Sequence, residues 1–122
     1  MKWKKLKYQR KYLCLTLLMA GGFLYSCEKT VLEPVKVTDA AFAKDVQPIF
    51  TANCVVCHNG GQSPNLTQGA AYNSLKNGGY INTTTPQDSK LYQKLTTSMA
   101  SYATDVQKQT ILAWIRNGAK NN

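Results

Sequence analysis

Apolar side chains recur along most of this chain at helical rather than strand spacing. Phe42, Val46, Ile49 and Phe50 stand at i, i+4, i+7 and i+8, positions that share one helix face. This helix is expected to begin after Asp39 or Asp45. Pro48 fits its first turn if Asp45 is the cap, because N–H groups there have no helical partner; residues 42–44 then form a separate turn. The helix should carry residues 54–58 at its end and stop at Gly60 and Gly61.

Residues 62–68 form a polar loop containing Pro64 and Leu66, and residues 70–76 a short helix ended by Asn77, Gly78 and Gly79. A further helix is expected from Pro86, with Thr85 as cap, an acid at Asp88 in its first turn, and Leu91, Tyr92 and Leu95 on its buried face. Thr104 and Gln107 are spaced as a capping box. They open a last helix through Val106, Ile111, Trp114 and Ile115 to Gly118, with Trp114 expected to lock it against the first. The pattern predicts an all-α protein of three to five helices, without repeats or low-complexity segments.

Charge changes the picture only at the N-terminus. The chain has 122 residues and a net charge of +9, but six of its 15 basic residues lie among the first eleven, ahead of an apolar run over 13–25. A basic stretch followed by a short apolar one reads as a secretory signal peptide. The run is shorter than the ~20 residues of a comfortable membrane-spanning helix. Leu24, Tyr25, Ser26 and Cys27 resemble a bacterial lipobox, although Tyr25 is bulkier than the usual residue there. Residues 1–26 are therefore expected to be a lipoprotein signal peptide and Cys27 the lipidated residue. Ordinary cleavage, or an uncleaved anchor with Cys27 as a plain thiol, is the alternative.

Removal of residues 1–26 would leave 96 residues carrying 9 basic and 6 acidic side chains. An excess of three charges gives no electrostatic basis for binding nucleic acid. Residues 27–38, interrupted by Pro34, read as a lipidated N-terminus and tether, part of which could instead pack as an irregular arm; residues 39–122 read as one small domain.

The candidate chemistry lies in Cys54-Val55-Val56-Cys57-His58. On a helix, positions i, i+3 and i+4 project to one side. Two thiols so placed can form thioethers with haem vinyl groups while the imidazole reaches the iron, and the spacing is that of c-type haem attachment. Closed zinc sites need four Cys or His ligands. The chain has four Cys and one His; Cys14 lies in the signal peptide and Cys27 in the lipobox, which leaves three ligands. A thioredoxin-like dithiol would accompany a βαβ pattern, which is missing here. One covalent haem c on Cys54 and Cys57, with His58 as proximal iron ligand, is the expected cofactor. The loop over 62–68 should wrap one haem edge, and one of its carbonyls should accept the second ring N–H of His58.

The sixth iron position separates electron carriers from ligand binders. His58 is the sole histidine, and Met1 and Met19 fall in the signal peptide, so Met99 is the remaining thioether. It stands in a loop before the last helix and is the expected distal ligand; the bland alternative is a methionine that fills a gap in the core.

Several of these pieces together resemble the small class I monohaem cytochromes c, including domains attached to bacterial lipoproteins and planctomycete-type proteins. They are Asp45-Val46-Gln47-Pro48-Ile49-Phe50, residues 54–58, Ser89-Lys90-Leu91-Tyr92, Met99, and Trp114-Ile115-Arg116-Asn117-Gly118-Ala119; the likeness covers residues 40–120. In that family a proline usually follows the methionine ligand. Here Ala100 does, which is expected to leave the loop looser.

The resemblance implies a small cytochrome c fold and a carrier of single electrons between redox partner proteins, rather than an enzyme. The protein is expected to be exported and held by its lipid on a bacterial membrane, facing the periplasm. Neither a nucleic acid nor a small-molecule substrate is expected. The alternatives are a haem protein whose sixth position opens for small-ligand sensing or peroxide chemistry, and a haem-free lipoprotein binding module.

Overall fold

Helices and the turns between them account for all the regular structure among residues 36–122, which the computed structural model describes. The predicted signal peptide, Cys27 and most of the tether lie outside these residues. Among the described residues, no helix is long and apolar enough to cross a membrane.

The first apolar face forms as expected, but its backbone does not. Phe42–Val46 is one π-helical turn that feeds directly into α1, Gln47–Asn53. Val46 N–H and Gln47 N–H reach back five residues, to Ala41 O and Phe42 O. This widened turn lies just upstream of Pro48, which has no N–H to continue a regular ladder. Asp45 is therefore not the cap of a later helix. Its carboxylate accepts from Ala41 N–H at 2.8 Å, inside the continuous turn, and Val46 occupies the cap position of α1. Phe42, Val46, Ile49 and Phe50 are all buried.

α1 also ends earlier than expected. It stops at Asn53, and residues 54–57 are turns rather than helix. Val55 N–H bonds to Phe50 O, again five back, so the chain leaves the helical path there. Two adjacent β-branched residues, Val55 and Val56, give helix little support at this point.

α2 is Ala71–Asn77 and stops at Gly78, as its sequence predicts. Pro86 does not open a long helix. Pro86–Asp88 is a single 3-10 turn, Ser89 is extended, and α3 spans Lys90–Thr96. Ser89 causes the break: its fully buried hydroxyl donates to Asn82 O and accepts from Asn82 N–H. Thr85 makes no side-chain cap; Asn82 Oδ1 accepts from the N–H groups of Thr84 and Thr85 instead. Leu91 and Leu95 are buried, whereas Tyr92 is half-buried.

A second 3-10 turn, Ala100–Tyr102, precedes α4, Asp105–Arg116. Both bonds of the predicted capping box at Thr104 and Gln107 are present. Ile111, Trp114 and Ile115 are buried, but Val106 is 49 % exposed. Val106 lies in the first turn of α4, ahead of the buried run from Ile111 to Ile115.

Trp114 packs on the turn that leads into α1, with ring centroids 5.1 Å from Phe42, and Tyr72 closes the aromatic cluster at 5.4 Å from Phe42. After α4 the chain turns back through Gly118, at φ +91°. Trp114 Nε1 then donates to Lys120 O, and Asn122 accepts from the N–H groups of Phe42 and Ala43. At the other end, Val37 packs against the core and Asn117 Nδ2 donates to Thr38 O. The body of the domain thus includes the last residues of the predicted tether.

Candidate functional site

Phe50, Leu66, Leu91 and Leu95, contributed by α1, the following loop and α3, form the apolar lining of a cavity of about 310 Å³. Cys54, Cys57, His58 and Met99 line this same cavity. Residues 41 positions apart in sequence are therefore brought to one site. Cys27 is the one predicted site residue outside the described part of the chain.

The turn after α1 presents the two thiols and the imidazole together although it is not helical. His58 N–H bonds to Cys54 O at 2.9 Å and Cys57 N–H to the same oxygen at 3.1 Å. The first of these is an i to i−4 link, which sets His58 one turn after Cys54, as a helix would. Of the two valines between the thiols, Val56 points away, at 84 % exposed, whereas Val55 packs partly against the core.

Cys54 and Cys57 are not bridged to each other. Burial against the cavity wall pushes the Cys54 thiol pKa up, while Cys57 is exposed. Among the described residues, no three His, Cys, Asp or Glu side chains converge on a common point suited to a metal ion.

The loop over 62–68 reaches the cavity through Gln62, Ser63, Pro64 and Leu66. Its expected carbonyl is that of Pro64, 3.0 Å from His58 Nδ1. With Nδ1–H donated there, Nε2 is left as the imidazole's acceptor nitrogen, the state an iron ligand needs. Leu66 N–H donates to His58 O at 2.8 Å, so loop and motif are joined twice.

Met99 stands between α3 and α4 in a loop braced by backbone hydrogen bonds. Thr97 N–H and Met99 N–H both donate to Lys94 O, Ala100 N–H donates to Thr97 O, and Tyr102 N–H to Met99 O. Met99 has φ −110° and ψ 16°, away from the extended geometry that a following proline demands. Ala100 suits this loop because its N–H is used.

Sequence reasoning missed the polar rim. Tyr80, Lys90, Lys94 and Tyr102 also line the cavity, and among its described lining residues there is no carboxylate. Lys90 Nζ lies 4.8 Å from the centroid of the Tyr80 ring, and Tyr80 OH is 3.3 Å from Ser63 Oγ. A Cβ on Gly78 would come within 2.6 Å of the Tyr80 ring, so glycine there makes room for it. The available signal was the pairing of Lys90 and Lys94 with Leu91 and Leu95: each cation precedes a buried leucine at the same four-residue interval.

A c-type haem suits this donor set. The two thiols, an imidazole with its second nitrogen engaged and a thioether line one largely apolar space. Compared with protein-family models, curated proteins and solved structures, the chain matches none.

Proposed function

We propose that this protein is a single-haem c-type cytochrome that carries electrons one at a time between protein partners. The observation that carries the reading is the shared cavity of Cys54, Cys57, His58 and Met99, with His58 Nδ1 held by Pro64 O. Cys54 and Cys57 would hold the haem by thioether bonds, and His58 and Met99 would bind its iron. When bound, the haem would supply a one-electron iron couple, whose potential a methionine and a histidine together raise relative to two histidines.

The chain's own residues have three tasks in this reading. Phe50, Leu66, Leu91 and Leu95 keep water from the site; Pro64 orients His58; and the bonded loop at 97–102 holds the Met99 backbone. An iron closed on both faces suits electron transfer rather than chemistry on a substrate. Lys90 and Lys94 at the rim favour partners with acidic surfaces.

The N-terminal sequence completes the proposal. The basic and apolar segments export the chain, and Cys27 carries the lipid that holds it on a bacterial membrane, facing the periplasm. A haem stain after denaturing electrophoresis tests the cofactor, because only covalent haem survives there. Protein exported alongside a haem-attachment system should stain, and the Cys54→Ser, Cys57→Ser double variant should not. An unstained parent would contradict the reading.

A further inference from the structure

Gln47 is polar yet only 6 % exposed, at the start of α1. Its Nε2 donates to Leu66 O at 3.1 Å, a buried contact, and lies 3.4 Å from Thr51 Oγ1. Thr51 Oγ1 in turn donates to Gln47 O. Gln47 Oε1 is buried without a partner. Reversing the amide would set oxygen against the Leu66 carbonyl oxygen, so the observed orientation is the one that bonds.

Burying an amide with one acceptor unpaired costs free energy. Methionine or leucine would fill the space without an unpaired oxygen but would leave Leu66 O without this donor, so the bond to the loop, not packing, accounts for glutamine. Its one buried bond leads to the loop that holds His58. Gln47 binds Leu66 O; Leu66 N–H binds His58 O; and Pro64, two residues before Leu66, accepts from His58 Nδ1.

Building on the haem reading above, we infer that Gln47 is a positioning residue that sets the strength of the His58–Pro64 hydrogen bond and, through it, the reduction potential. A hydrogen bond from Nδ1–H makes the imidazole a stronger donor to iron. Stronger donation favours ferric iron. Loss of the Gln47 bond frees Leu66 O, lets the loop relax and weakens the His58 bond, so the potential rises.

The test compares haem-loaded parent, Gln47→Met and Ile115→Val, reading the potential by redox titration and the exchange rate of the His58 Nδ1–H proton by NMR. Gln47→Met should shift the reduction equilibrium toward ferrous iron by about threefold to tenfold, or about 30 to 60 mV at 59 mV per tenfold, and speed the proton's exchange. Ile115→Val thins the core on α4 and removes none of the Gln47, Leu66, Pro64 and His58 hydrogen bonds; it should lower the melting temperature and move neither readout. Should Gln47→Met not fold, Gln47→Leu removes the same donor. A folded, haem-loaded variant with parental potential and parental exchange overturns the inference. A parent that takes up no haem contradicts the cytochrome reading instead. Exchange of the Leu66 amide in the haem-free chains then decides whether Gln47 pins the loop: faster in the variant supports the pinning, and equal rates overturn it.

Discussion

The carbonyl oxygen of Pro64 lies 3.0 Å from His58 Nδ1, while His58 O accepts from Leu66 N–H two residues further along the same loop. Ring and backbone of His58 are thus held by one short segment. A side chain held at one nitrogen has a fixed ring plane, and its other nitrogen keeps one direction. In the proposed cytochrome, this hold would orient the ring toward the iron.

Trp114 should be the largest single contributor to stability outside the site. It is 1 % exposed, packs at a tilt against Phe42 and donates to Lys120 O. Trp114→Ala is expected to cost about 3 to 5 kcal/mol. Trp114→Phe keeps much of the ring contact and loses the hydrogen bond, at about 1 kcal/mol for that bond. Urea unfolding of the two variants gives both values.

Ala100→Pro should destabilise the Met99 loop although it introduces the residue usual after the methionine in the class I cytochromes c that the sequence resembles. The proline removes the Ala100 N–H bond to Thr97 O and drives Met99 away from ψ 16°. A loss of more than about 1 kcal/mol is expected on unfolding. In the haem-loaded protein, the sulfur-to-iron absorption band should weaken. A more stable variant with a stronger band would show that the loop tolerates the family pattern.

Charge at the rim should govern encounter rates. Lys90 and Lys94 both line the cavity, with no carboxylate among its described lining residues. The Lys90→Gln, Lys94→Gln double variant should reduce hexacyanoferrate by a rate about tenfold lower than the parent at low salt. The gap should close at high salt, where screening acts within about 5 Å. Stopped-flow mixing across ionic strengths measures both.

Local signals made much of the architecture readable. The Thr104–Gln107 capping box, the burial of Ile111, Trp114 and Ile115 on α4 and the stop at Gly78 depend on neighbours within a few residues, and each appears where its sequence indicates. The Cys-x-x-Cys-His spacing and the loop that meets His58 were legible for the same reason. Which carbonyl it was depended on the path of the loop.

Features set by distant partners were not readable. The π turn at Phe42–Val46 combines the missing donor of Pro48 with contacts from Asn122, 80 residues away. Ser89 breaks the expected helix because Asn82 takes both ends of its hydroxyl hydrogen bonding. Tyr80 reaches the cavity because Gly78 leaves it room, a tertiary fit that no periodicity encodes.

The visible spectrum of haem-loaded parent and Met99→Ala, oxidised and reduced, separates an electron carrier from a ligand binder. A carrier with Met99 bound to its iron gives a low-spin, six-coordinate parent with a far-red sulfur-to-iron band that disappears in Met99→Ala. A high-spin parent that shifts on adding carbon monoxide or peroxide, with Met99→Ala indistinguishable from it, removes Met99 from the iron and assigns the cavity to ligand binding or peroxide chemistry.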